Sequence, residues 1–199
     1  MGVREMSETR NIKMKVCLIG DFAVGKTSLI QKYVYDTFSD RYIQTVGAKI
    51  TKKSLLLQYP ELRTDLDIDL TIWDIMGEKG FRELLKEAYF YGAQGLLAVC
   101  DLTREDTFYE LPTWINAVDR VVGRIPTVFL GNKIDLTDST CVKEDDMKMM
   151  GESYDSNYIL TSAKTGENVE GAFLELAEII AAKDVLAETP SFSNAIILE

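Results

Sequence analysis

Short, mostly apolar runs alternate with longer segments of helical periodicity along most of the chain. Four such runs have the composition of strands that are covered on both faces: Val16–Ile19, Leu96–Cys100, Thr127–Leu130 and Tyr158–Leu160. Residues 67–73 alternate polar with apolar side chains, as a more exposed strand does, and we expect 47–58 to pair with them as a long hairpin. The connection over 59–65 is longer than a tight turn and is predicted to protrude.

Helical periodicity is clearest in two segments. Apolar residues recur at every third or fourth position in Leu111, Trp114, Ile115, Val118 and Val122, and again in Val169, Ala172, Phe173, Leu176, Ala177 and Ile180. A shorter stripe consists of Phe81, Leu84, Leu85 and Ala88. Further helices are predicted at 27–35 and 142–151. We assign these apolar side chains to the core.

This alternation of strands and helices predicts an α/β fold. We expect one doubly wound, mostly parallel six-stranded sheet with right-handed crossovers and helices on both faces. Residues 1–13 are polar and aperiodic and are predicted to be an extension, 14–183 to be the single domain, and 184–199 to be a tail. Ligands in such folds bind beyond the C-terminal ends of the strands, so candidate chemistry is sought there.

The composition of the chain indicates which partners and which cellular compartment fit it. The chain of 199 residues has a net charge of −10, which argues against nucleic acid or an anionic membrane as its main partner. It has three cysteines and no histidine, so a reducing compartment fits and histidine chemistry is excluded. No apolar run approaches the ~18 residues of a membrane span. We expect a soluble, cytoplasmic monomer, with buried thiols at Cys17 and Cys100.

A phosphate-binding loop is predicted directly after the first strand. Residues 20–28 fit the pattern G-x-x-x-x-G-K-[ST] between a predicted strand and a predicted helix. Backbone N–H groups at a helix N-terminus bind phosphate, and glycines let the backbone approach it. Lys26 would add a charge for the outer phosphates, and Thr27 a hydroxyl for Mg²⁺. A plain strand–helix turn is the alternative. The candidate phosphate-binding residues are Asp21, Phe22, Ala23, Val24, Gly25, Lys26, Thr27 and Ser28.

Three further signals follow later strands. Asp74 suits a bound Mg²⁺ and Gly77 a terminal phosphate, although aspartate is also common in plain strand-to-loop turns. In Asn132-Lys133-Ile134-Asp135, the last carboxylate can accept two hydrogen bonds from guanine N1–H and its 2-amino group, a pair of donors that adenine lacks. The stem of Lys133 suits a flat base. The segment 162–164, Ser-Ala-Lys, offers N–H groups for a guanine carbonyl or is a helix-entry loop.

These four motifs, each after its own strand, resemble those of the Ras superfamily of small GTPases, in particular its Ras and Rab branches. The resemblance covers about 14–183 and implies a single P-loop G domain that binds GTP and GDP with Mg²⁺ and hydrolyses GTP to GDP. It further implies effector, exchange-factor and activating proteins that bind two mobile segments. The first switch segment would be 37–48 and the second switch segment 75–90.

The resemblance also implies residue roles. The catalytic set would be Lys26, Thr45, Gly77 and Glu78, and the Mg²⁺ ligands Thr27, Thr45 and Asp74. Lys26 would contact the β- and γ-phosphates, and Gly77 would donate to the γ-phosphate. Phe38 would pack against guanine, and Tyr42 would close over the phosphates. The base would be held by Asn132, Lys133, Asp135, Ser162, Ala163 and Lys164.

Three positions depart from the family pattern. Glu78 replaces a glutamine that orients the attacking water, and its carboxylate has no N–H donors, so we expect slow hydrolysis. Alternatively, Glu78 is protonated or points away. Phe22 stands where relatives often have glycine or serine, and either blocks an activating arginine or packs against the second switch segment. Met76 replaces a small alanine.

The lipid anchor of many relatives is not expected here. The last four residues, 196–199, contain no cysteine for prenylation, and Met6 stands where myristoylation expects Ser or Thr.

Two functions compete with a hydrolysing switch. A non-hydrolysing GTP-binding scaffold is favoured by the missing glutamine and disfavoured by the retained Mg²⁺ ligands. A P-loop kinase or ATPase leaves 132–135 unexplained.

Overall fold

One six-stranded sheet forms the centre of the protein. The computed structural model describes residues 8–39, 41, 43–59, 64–78 and 87–188, the last five by their backbone alone. The strands are β1 Glu8–Ile19, β2 Ala48–Tyr59, β3 Thr64–Ile75, β4 Gly95–Asp101, β5 Thr127–Asn132 and β6 Asn157–Thr161. Their order is β2-β3-β1-β4-β5-β6, and every neighbouring pair is parallel except antiparallel β2 and β3. The predicted α/β fold and its long hairpin are therefore confirmed.

Helices cover both faces of the sheet. They are α1 Lys26–Tyr35, α2 Glu105–Tyr109, α3 Leu111–Val122, α4 Glu144–Tyr154 and α5 Val169–Glu188, with a short 3₁₀ turn at Thr137–Ser139. α1 and α5 pack on one face, and α3 and α4 pack on the other. Acidic residues fill the first turn of α4, where they complement the helix dipole. Within the described part of the chain, no helix is both long and apolar enough to cross a lipid bilayer.

The core has two layers because successive strand residues point to opposite faces. Val16 and Leu18 of β1 join the layer under α1 and α5, whereas Cys17 and Ile19 join the layer under α3 and α4. The apolar stripe predicted for α5 is buried throughout, and that of α3 is buried except for its half-buried last member. The two predicted buried thiols, Cys17 and Cys100, are also confirmed.

The first strand begins earlier than the sequence predicts. Residues 8–13, predicted to be aperiodic, form the first half of β1 and pair with β3 from Glu8 opposite Thr64. On the other side, β4 pairs with β1 only from Val16 onward, so this half lies at an open edge. Polar side chains are tolerated there because they reach solvent, so this half of β1 contains no apolar run that would predict a strand.

Two other expectations need correction. The helix predicted from the stripe over 169–180 continues as α5 to Glu188, beyond the point at 183 where the sequence loses its periodicity. Ala88 is exposed rather than buried, and Phe90 instead enters the core. The other members of that stripe, Phe81, Leu84 and Leu85, lie outside the described residues, as do 60–63 of the predicted protruding connection. Tyr59 pairs with Thr64, so both hairpin strands extend into the predicted connection 59–65.

Candidate functional site

The predicted site residues meet around one cavity at the C-terminal ends of the strands. The cavity has a volume of about 450 Å³. The predicted residues that line it are Phe22, Ala23, Gly25, Lys26, Thr27, Ser28, Phe38, Thr45, Gly77, Glu78, Asn132, Lys133, Asp135, Ala163 and Lys164. Lining residues that were not assigned to the site are Gln31, Ser39, Arg41, Ile43, Gln44, Ile75, Met76 and Leu136. Most of these adjoin predicted residues in the two switch segments.

Some predicted residues do not line the cavity. Asp21 and Val24 are buried within the loop, Asp74 accepts a hydrogen bond from Thr27, and Ser162 donates one to Asp135. Tyr42 lies outside the described residues. The structure therefore divides the predicted set into side chains that face the cavity and side chains that hold the cavity wall.

The loop over residues 20–25 needs its glycines for two reasons. Gly20 and Gly25 have positive φ angles of 133° and 102°, which side chains rarely adopt. A Cβ atom on Gly20 would lie 2.1 Å from the carbonyl oxygen of Val99, and one on Gly25 would lie 2.2 Å from Nδ2 of Asn132. Gly25 directly precedes the first turn of α1, so the loop delivers N–H groups to a helix N-terminus.

Lys26 is a buried cation held over the loop. Its Nζ donates hydrogen bonds of 2.7 Å to the carbonyl oxygens of Gly20 and Asp21. Burial lowers the pKa of Lys26 to about 8, against the opposing attraction of Asp74 and Asp21. A polyanion in the cavity would favour the charged form of this side chain.

Thr27, Thr45 and Asp74 converge at one corner of the cavity. The hydroxyl of Thr27 lies 3.0 Å from that of Thr45 and donates to Oδ2 of Asp74 at 2.5 Å. Thr45 also donates to the same oxygen at 3.3 Å. The other carboxylate oxygen, Oδ1 of Asp74, is buried without a hydrogen-bond partner within the described residues. Burial raises the pKa of Asp74, despite the hydrogen bonds from both threonines.

This corner fits a hard divalent cation. Mg²⁺ prefers oxygen ligands and keeps several of its waters, so two hydroxyls and one carboxylate suffice beside a phosphate. The unpartnered Oδ1 of Asp74 is the kind of atom that a cation or its water would satisfy. Among the described residues, no group of three or more His, Cys, Asp or Glu side chains could hold a metal. The oxygen atoms that this corner offers come from two hydroxyls and one carboxylate.

At the other end of the cavity, Asp135 and Lys133 are fixed by neighbours. Ser162 Oγ donates to Oδ1 of Asp135 at 2.6 Å, which leaves the carboxylate facing the cavity from a defined position. Lys133 Nζ forms an ion pair of 2.6 Å with Oδ2 of Asp101. This ion pair extends the stem of Lys133 along the cavity wall, where it can cover a flat ring.

The amide of Asn132, which is predicted to hold the base and lines the cavity, also joins two loops. Its Nδ2 donates to the carbonyl oxygen of Val24 at 2.8 Å. Its Oδ1 accepts from the backbone N–H of Ala163 at 3.1 Å and from the Thr161 hydroxyl at 3.3 Å. Asn132 thus sets the spacing between the phosphate loop and the segment 162–164.

Asp101, which sequence reasoning missed, connects the segment 132–135 with the phosphate-binding loop 20–28. This buried carboxylate accepts from Lys133, from Arg104 Nε at 2.9 Å and from the Thr103 hydroxyl at 2.7 Å. Arg104 continues to the carbonyl oxygen of Phe22 at 2.9 Å, with its guanidinium 5.4 Å from the phenyl centroid. Phe22 is 54% exposed, and its ring contacts an arginine of its own chain. The available signal was an aspartate at the end of β4, as at Asp74.

The segment after β3 lies close against the phosphate loop. A Cβ atom on Gly77 would lie 2.4 Å from the carbonyl carbon of Asp21, so only glycine fits. Met76 is buried, and its N–H donates to the carbonyl oxygen of Gly47 at 3.0 Å. Glu78 accepts a hydrogen bond from Nε2 of Gln44. The carboxylate of Glu78 therefore points toward the first switch segment.

Known proteins resemble this chain over most of its length. The model of the Ras family matches residues 15–182. Ras-related protein Rab-1 of Theileria annulata is 35% identical over 179 residues, which cover 89% of this chain and 77% of that protein. Ras-related protein Rab-21 of Geodia cydonium is 36% identical over 85% of this chain and 71% of that protein. Ras-related protein Rab-8B of Homo sapiens is 33% identical over 89% and 83%.

Proposed function

The chain belongs to the Ras family and is a GTP-binding switch GTPase, and from this premise we propose that it hydrolyses GTP slowly because Glu78 replaces the family's glutamine. Bound GTP would place its phosphates on the loop 20–28, beside the cation of Lys26. Guanine would lie between the stem of Lys133 and the carboxylate of Asp135. The carboxylate of Asp135 accepts hydrogen bonds from guanine N1–H and the 2-amino group, which selects guanine over adenine.

Thr27, Thr45 and Asp74 would hold Mg²⁺. Bound there, Mg²⁺ supplies positive charge that neutralises the phosphate oxygens. Thr45 belongs to the first switch segment and reaches both Thr27 and Asp74. A ligand that engages this corner therefore orders the first switch segment, which is the property that a switch requires. Regulators and effectors would distinguish the nucleotide states by whether the first switch segment is ordered.

The observation that carries slow hydrolysis is the position of Glu78. It lines the cavity directly after Gly77, which is packed onto the phosphate loop. A carboxylate accepts hydrogen bonds but donates none, and its charge opposes the approach of a polyanion. Positioning and charge stabilisation supply most of the catalysis in phosphoryl transfer, so this replacement weakens the step that glutamine assists.

Exposed apolar side chains support a partner surface on the first switch segment and β2. Ile43, Val46 and Ile50 are 71%, 82% and 50% exposed. Their positions beside Thr45 would make partner binding depend on the bound nucleotide. We propose that the protein meets these partners as a cytoplasmic monomer, to be tested by sedimentation with and without vesicles of anionic lipid.

Two measurements test the function. Chromatography of nucleotide released from the purified protein should yield GDP or GTP rather than adenine nucleotides. Single-turnover hydrolysis of bound GTP should be about tenfold or more faster in Glu78→Gln than in the unchanged protein. Glu152→Gln, at an exposed position of α4, is the matched control. Equal rates for the unchanged protein and Glu78→Gln would contradict the proposed cause.

The second candidate is a GTP-binding scaffold that does not hydrolyse its ligand. The acidic side chain at the cavity mouth favours it, because the carboxylate of Glu78 already accepts from Gln44. The same assay separates the two functions. A scaffold would release intact GTP after prolonged incubation, and a slow GTPase would release GDP.

A further inference from the structure

Gln44 and Glu78 meet across the mouth of the cavity. Nε2 of Gln44 donates a hydrogen bond to Oε1 of Glu78, and both side chains line the cavity. Gln44 directly precedes Thr45, and Glu78 directly follows Gly77. The contact therefore joins the two switch segments at the end of the cavity where the terminal phosphate is proposed to lie.

The backbone on both sides of this contact is held in place. Thr45 is tied to Thr27 and Asp74 by its hydroxyl, at 3.0 and 3.3 Å. On the other side, Gly77 is packed so closely on the phosphate loop that a Cβ atom would not fit. Because each partner adjoins an anchored residue, the two side chains start from defined positions.

We propose that Gln44 supplies the carboxamide that the chain lacks at position 78, and that Glu78 positions it. This inference rests on the proposed slow hydrolysis. The bond to Glu78 uses one of the two N–H donors of the amide, and the amide also has a carbonyl oxygen. Gln44 can therefore contact a water while Glu78 fixes which end of the amide faces that water.

The hydrolytic step needs no change in either side chain. The water oxygen forms a bond to the γ-phosphorus while the bond from that phosphorus to the β,γ-bridging oxygen breaks. The bridging oxygen keeps the electron pair as part of GDP, and the water proton ends on the released phosphate. Gln44 Oε1 accepts a hydrogen bond from the water and so directs its lone pair at phosphorus.

The test is a cycle of single-turnover measurements with GTP already bound. Gln44→Ala should lower the hydrolysis rate constant by about tenfold or more, and the Kd for GTP should change less than twofold, because the role concerns the reaction and not binding. Glu78→Ala should lower the rate to a similar level. In a Glu78→Gln background, Gln44→Ala should change the rate less than twofold, because a second amide takes over. Gln58→Ala, on an exposed part of β2, is the control.

Each outcome decides a different statement. A Gln44→Ala rate equal to or above that of the unchanged protein overturns the role of Gln44 and leaves slow hydrolysis intact. An equal loss in both backgrounds also overturns it, because Gln44 would then act independently of position 78. A parallel loss of GTP affinity would show a structural role only. If neither the unchanged protein nor Glu78→Gln hydrolyses bound GTP, the proposed hydrolysis fails and this inference fails with it.

Discussion

Trp114 donates a hydrogen bond of 2.9 Å from its indole Nε1 to Oδ1 of Asp21. Both side chains are buried, and the bond joins α3 to the phosphate loop. Trp114→Phe keeps an aromatic ring in the core but removes one donor from a buried carboxylate. We expect the free energy of unfolding to fall by about 1–3 kcal/mol and GDP binding to weaken. Urea denaturation and nucleotide titration measure the two effects.

Trp73→Phe is the matched control. It also removes an indole N–H, but in the described part of the chain Nε1 of Trp73 is buried without a hydrogen-bond partner. We therefore expect a smaller loss of stability, from packing and from the contact of Lys15 with the ring at 3.9 Å. Equal losses in the two variants would show that the Trp114–Asp21 bond is not what matters.

Three glycine-to-alanine variants should change the free energy of unfolding by amounts that differ in sign and size. Gly20→Ala combines a φ of +133° with a Cβ only 2.1 Å from the Val99 carbonyl oxygen, so we expect a loss of about 3 kcal/mol or more. Gly92→Ala has a φ of +73° but nothing within 4 Å, and should lose about 1 kcal/mol. Gly171→Ala, in α5 with open space, should gain up to about 1 kcal/mol. Thermal unfolding ranks them; a harmless Gly20→Ala would contradict the loop geometry.

The sequence predicts those features that repeat locally. The stripe of α5 is visible because a helix buries every third or fourth residue, and the strand at Leu96–Cys100 because both its faces are covered. The loop 20–28 is visible because phosphate binding restricts glycine, lysine and threonine to fixed spacings. These signals require only neighbouring residues, so no knowledge of the tertiary structure is needed.

Contacts between distant segments leave no such signal. Asp101 gains its importance only because β4 ends beside the loop that carries Lys133. Likewise, the spacing of Asn132 predicts a base ligand, and only the fold reveals that its amide also spans two backbone groups. The pairing of Gln44 with Glu78 depends on how two loops cross. The hydrogen-bond partner of a polar side chain depends on which distant segments the fold brings together. A single sequence does not give the distances between those segments.

Asp135→Asn should exchange the preferred base. The asparagine amide has one oxygen that accepts a hydrogen bond and an N–H group that donates one. It therefore fits xanthine, which has a carbonyl where guanine has its 2-amino donor. We expect GTP affinity to fall by on the order of 100-fold or more and xanthosine triphosphate to bind better than GTP. Competitive titration with GTP, ATP and xanthosine triphosphate measures this. Ser162→Ala, which removes the 2.6 Å hydrogen bond to Asp135, should lower GTP affinity without changing the ranking of the three nucleotides. An unchanged preference in Asp135→Asn would place the base elsewhere.

Only one of the three thiols should react in the folded protein. Burial raises the pKa of Cys17 and of Cys100 to about 12, and both side chains are inaccessible, whereas Cys141 is exposed. Because the thiolate is the reactive form, N-ethylmaleimide at neutral pH should add once to the native protein, at Cys141, and three times in denaturant. Cys141→Ser should abolish native labelling. Mass spectrometry counts the adducts, and rapid native modification of Cys17 or Cys100 would show that the core around β1 and β4 opens far more readily than its packing indicates.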